Sequence, residues 1–113
     1  MKIKVTEKYE AVLIELKGNV MGGDDTVEFN ELLHKLIDEK KLNIVIDLSD
    51  VKFMNSSGLG MLISGLTTMK KAEGNMKLVN VTEKIHSLLV ITKLITIFET
   101  FESVEEALQS YAK

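Results

Sequence analysis

"IVIDLSDVKFMNSSGLGMLI", residues 44–63, begins as one kind of structure and ends as another. Its first part belongs to "LNIVIDL", rich in β-branched residues and apolar on both faces after Asn43. A strand of that kind sits in the middle of a parallel sheet with helices covering both sides. Its last part opens a helix that carries Leu59, Leu62, Ile63, Leu66 and Met69 on one face. Between them lies "NSSGLG", small, polar and flexible, at the carboxyl end of a central strand, where open α/β sheets place their functional rim.

The flanking chain extends the same alternation. "IKVTEKYEAVLIELKG" reads as an edge strand turning back near Glu7, Lys8 and Tyr9 into a more buried one. "GNVMGGDDT" is a loop punctuated by Gly18, Gly22 and Gly23. Asp25, three residues before Glu28, is the expected N-cap of a helix burying Phe29, Leu32, Leu33, Leu36 and Ile37. Lys40 and Lys41 close it. Gly74 is the expected left-handed C-cap of the second helix. "MKLVNV" is a short strand, and Thr82 caps a helix burying Ile85, Leu88 and Leu89. "FETF" is a last short strand. Ser103 and Glu106 form a capping box for a helix burying Val104, Ala107, Leu108 and Tyr111. The order β-β-α-β-α-β-α-β-α over residues 1–113 predicts one α/β domain. Its mostly parallel mixed sheet has about five strands, an N-terminal β-hairpin and about four flanking helices.

Composition narrows the function. Fourteen basic residues against 17 acidic give a net charge of −3, with no basic stretch interleaved with aromatics, which argues against direct nucleic-acid binding. The longest apolar run, "SLLVITKLITIF", is too short to span a bilayer and contains Lys93. With no apolar leader in "MKIKVTEKYE", the expectation is a cytoplasmic protein without membrane contact. Cysteine is absent, which removes disulfides and thiol nucleophiles. His34 and His86 have no neighbouring ligand at metal spacing, so no metal or other cofactor is expected. Met54, Met61, Met69 and Met76 read as core gap-fillers. Asp47 with Ser49 has no base in reach and reads as an organiser of the following loop. "GNVMGGDD" lacks the lysine of a phosphate-cradling loop. These features argue against an enzyme.

"NSSGLG" itself carries two readings. Ser56 or Ser57 lies at a helix N-terminus, where free amides and the macrodipole favour a phosphate. Gly58 and Gly60 leave room for a partner surface to approach. Equally, serine is a preferred N-cap, and glycine there permits tight helix–sheet packing.

"DLSDVKFMNSSGLGMLI" resembles the signature of the STAS domain family, in its bacterial anti-sigma factor antagonist branch. The resemblance also takes in Gly18, Asp47, "MKLVNV", "LLVITKLITIFETF" and "SVEEAL". It implies a binding switch whose unmodified form binds an anti-sigma factor that is also a serine kinase, freeing the sigma factor. Phosphorylation turns binding off, and a serine phosphatase restores it. Mapped onto this chain, the acceptor is Ser56, with Ser57 the lesser candidate. The implied partner surface comprises Met21, Gly22, Asp24, Asn55, Ser56, Ser57, Gly58, Leu59 and Gly60, on a monomer. Two positions depart from the pattern: Asn55 replaces the usual aspartate before the serines, and Met21 stands where an aspartate commonly falls. Two alternatives are an adaptor or scaffold without sigma control, such as a subunit of a transport complex, and a nucleotide-binding domain.

Overall fold

The computed structural model describes residues 1–112, and in it the spatial order of the strands is their chain order. β1 (Lys2–Lys8) pairs antiparallel with β2 (Ala11–Val20). Next come β3 (Asn43–Met54), β4 (Asn75–Val79) and β5 (Thr100–Phe101), each parallel to the strand before it. Four helices alternate with them: α1 (Asp24–Asp38), α2 (Ser56–Lys71), α3 (Glu83–Ile91) and α4 (Val104–Tyr111). The sequence expectation of a five-stranded mixed sheet with an N-terminal hairpin and four helices holds.

Alternation along the strands decides what each face buries. Val12, Ile14 and Leu16 of β2 join Ile44, Ile46 and Leu48 of β3 under α1, α2 and α3. The opposite face presents Ala11, Val45 and Val79, covered by Ala107 and Leu108 of α4. Side chains of this size contribute roughly 1.5–3 kcal/mol each when fully buried. The α1–α2 crossing is close because Gly65 has no side chain: a Cβ there would lie 2.7 Å from the Phe29 ring. α4 is fixed by polar contacts as well. The buried Lys77 ammonium donates to Ser110 Oγ at 2.7 Å and lies 4.1 Å from the Tyr111 ring centroid. Tyr111 donates its hydroxyl to the Ile44 carbonyl at 2.9 Å. Burial, reinforced by the nearby Glu99 carboxylate, pushes the Tyr111 phenol well above its ordinary range, so it remains a donor at physiological pH.

Two expected caps are displaced. Gly23, not Asp25, occupies the N-cap of α1, and Asp25 lies within its first turn, accepting weakly from the Met21 amide at 3.5 Å. The left-handed residue after α2 is Glu73, with φ 65°, and not Gly74. Glu73 N–H bonds the Lys70 carbonyl at 3.0 Å and Gly74 N–H bonds that of Met69 at 2.7 Å, the two hydrogen bonds of a Schellman motif. Gly74 is needed for space: a Cβ would fall 2.5 Å from the Leu42 carbonyl oxygen. Lys40 after α1 and Lys93 after α3 repeat the arrangement, with φ 61° and 62°. A side chain in this region costs about 1 kcal/mol. Glu73→Gly is therefore expected to raise the melting temperature, and Gly74→Ala to lower it. A drop for Glu73→Gly in thermal denaturation would refute this account of the helix end.

Candidate functional site

β3 runs past its pairing with β4, which ends at Asp47, and continues alongside β2 to Met54. Two irregularities shape that extension. Between the pairs Glu15–Asp47 and Lys17–Asp50, and again between Gly18–Val51 and Asn19–Phe53, β3 holds one residue more than β2. Such bulges re-aim side chains. The second puts Met54 on the core side and leaves Phe53 48 % exposed. Asp47 secures the first: its Oδ1 accepts from the Ser49 amide at 2.9 Å and from Asn80 Nδ2 at 3.1 Å. The carboxylate organises the loop, as its strand-end position suggests.

Asn55 then turns the strand into α2. Its backbone is extended, its Oδ1 accepts from the Gly58 amide at 2.8 Å, and its own amide donates to the Val20 carbonyl at 3.4 Å. Asn55 is the N-cap; Ser56 and Ser57 are the first two helical residues, both exposed. Because the asparagine does the capping, that task does not fall to either serine. The first turn holds no acidic residue, so the positive end of the helix dipole is not offset locally. Asn55→Ala is expected to cost about 1 kcal/mol, whereas Asn55→Asp keeps the cap and adds a favourable charge. Equal denaturation midpoints for Asn55→Ala and the unaltered chain would contradict this assignment.

The end of β2 and the start of α2 are pressed together by two glycines. A Cβ on Gly22 would lie 2.7 Å from Ser57 Cβ, and one on Gly58 only 2.1 Å from the Val20 carbonyl oxygen. Buried Gly22 and Gly58 thus bring the segment of Met21 against that of Asn55, Ser56 and Ser57, with Met21 and both serines exposed, and Asp24 stands exposed on the first turn of α1. Gly58 does not hold space open for a partner; it is buried and admits the strand end. Leu59 is likewise withdrawn, 2 % exposed within the main core. Gly60 is different: it is exposed, and a Cβ there would meet nothing within 4 Å. One turn after Ser56, it shares that residue's face. The sequence reading does not single out Phe53, which lies beyond "LNIVIDL"; the one clue is the broken alternation of "VKFM".

His34 and His86 are both exposed, and no group of three or more His, Asp or Glu suited to a metal occurs among the described residues. No helix among the described residues is long and apolar enough to cross a membrane.

Comparison with known proteins agrees with this architecture. The family model described as "STAS domain" matches residues 2–107. The anti-sigma-B factor antagonist of Bacillus subtilis is 31 % identical over 97 residues, covering 84 % of this chain and 89 % of that protein. The crystal structure of the Thermotoga maritima protein TM1081 superposes with a TM-score of 0.87 at 19 % identity, covering 98 % of this chain and 95 % of that one. The Bacillus cell fate determinant SpoIIAA, in its phosphorylated form, gives a TM-score of 0.75 at 18 % identity, covering 97 % and 99 % of the two chains.

Proposed function

The chain belongs to the STAS domain family, and from that premise we propose that it is an anti-sigma factor antagonist switched by phosphorylation of Ser56. The unmodified chain, as a monomer, binds an anti-sigma factor that is also a serine kinase, and so releases the sigma factor. Phosphate on Ser56 ends that association, and a serine phosphatase restores it. The protein acts by binding and not as an enzyme. Its contact surface is formed by Met21, Asp24, Asn55, Ser56, Ser57 and Gly60, with Phe53 added at its edge. Gly22, Gly58 and Leu59 support that surface from beneath.

The observation that carries this reading is the exposure of Ser56 on the first turn of a helix already capped by Asn55. A serine retained only as a cap would occupy the preceding position. The names of the relatives support the antagonist role, and the likeness to phosphorylated SpoIIAA supports a fold compatible with phosphate. Phosphopeptide mass spectrometry of the protein from its native host, with and without phosphatase treatment, is the test. A phosphatase-sensitive phosphate on Ser56 is expected. An unmodified serine across growth phases and stresses would leave an adaptor of the same fold as the better description.

A further inference from the structure

A cleft of about 260 Å³ separates the bulged end of β3 from α3. Val51 and Met54 line it from the strand, and Ile85 and Leu88 from the helix. At its mouth stand Phe53 and Ile91, the latter 78 % exposed. The lining is mostly apolar: of its two hydroxyls, Thr82 is committed to capping α3 through the Ile85 amide, and that of the exposed Ser87 can be met by solvent. An apolar cavity of roughly 150 Å³ takes up benzene, so this one has room for a medium-length alkyl chain.

Charge at the rim defines the rest of the ligand. Lys52 and Lys84 both border the cleft and are both exposed. Neither takes part in an ion pair among the described residues, a state they share with most lysines of the chain, and no acidic side chain lines the cleft to offset them. On a chain of net charge −3, two free ammonium groups beside an apolar cleft are complementary to an anion with a hydrocarbon tail.

We propose that the β3–α3 cleft is a binding site for a single-chain amphipathic carboxylate of the medium-chain fatty acid class. The alkyl chain lies between Met54 and Leu88, and the carboxylate is held by Lys52 and Lys84. The site borders the proposed contact surface at Phe53 but contains neither serine and does not depend on the role assigned to Ser56.

The test is a methyl NMR titration of the whole chain with sodium octanoate below its micelle concentration, and in parallel with octanol. Saturable shifts confined to the methyls of Met54, Ile85, Leu88 and Ile91 are expected. The double variant Lys52→Ala/Lys84→Ala should weaken octanoate about threefold to tenfold, since exposed ion pairs are each modest, and leave octanol within about twofold. Ile91→Glu, at a position exposed enough to spare the fold, should weaken both ligands. Absence of saturable shifts, shifts scattered over the surface, or equal octanoate affinity in the lysine variant would each overturn the proposal. So would octanoate leaving the cleft untouched while Ile91→Glu abolishes binding of the kinase partner, because the cleft would then belong to a protein interface.

Discussion

Ser56→Asp is expected to lower affinity for the proposed kinase partner about a hundredfold, and Ser56→Ala to leave it near the unaltered value. The argument is electrostatic. A phosphoserine carries roughly −1.5 to −2 charges and aspartate one, and either must be desolvated if a partner closes over the first turn of α2. An unpaired charge buried in a contact costs about 3–5 kcal/mol, more than the 2.7 kcal/mol that a hundredfold change requires. Folding responds in the opposite direction. Ser56 is the first residue of α2, where a negative charge gains about 0.3–1 kcal/mol from the helix dipole. Ser56→Asp should therefore unfold at the same or a slightly higher temperature while binding poorly. Titration calorimetry alongside thermal denaturation separates these effects. Equal affinities for the aspartate and alanine variants would remove Ser56 from the switch, and a fall in both affinity and stability for Ser56→Asp would point to a structural role.

Most of the architecture was legible because it rests on periodicity and capping chemistry, which are local. Phe29, Leu33 and Leu36 recur at helical spacing and are buried; Thr82 and Ser103 cap the helices they precede. What escaped depends on neighbours distant in sequence or on strain. The sequence places a left-handed C′ residue at Gly74, yet Glu73 adopts that conformation, as do Lys40 and Lys93, because the Schellman bonds and the returning chain impose it. The bulges in β3 arise from pairing with β2, so the broken alternation of "VKFM" hints at an irregularity without saying which way Phe53 faces. Leu59 fits both the apolar face and the signature motif, and only packing assigns it to the core. The serine junction was legible as a site of interest, but the division of labour within it was not. Asparagine and serine both cap helices, and the backbone of Asn55 decides which one does.

Gly58 and Gly60 are equivalent by inspection of "SSGLG", and their substitution is expected to act with opposite sign. Gly58→Ala places a methyl group 2.1 Å from the Val20 carbonyl oxygen and 2.8 Å from its carbon. That obstacle is backbone, and the same carbonyl accepts the Asn55 amide at 3.4 Å, so relief requires moving the end of β2 or the start of α2. Overpacking of this kind costs about 1–3 kcal/mol, at the upper end where backbone must yield, and a chain of this size then melts roughly 10 °C lower. Gly60→Ala meets nothing within 4 Å and replaces glycine in a helix, a gain of about 1 kcal/mol. Its Cβ projects into the face that Ser56 shares, so partner affinity should fall while the melting temperature rises. Thermal denaturation and partner titration of the two variants decide the matter. If Gly58→Ala melted with the unaltered chain, the close approach of α2 to Val20 would be wrong. If Gly60→Ala bound the partner as tightly as before, Gly60 would lie outside the contact, and the interface would have to be drawn toward Met21 and Phe53, the exposed apolar residues on the two segments that meet at the serines.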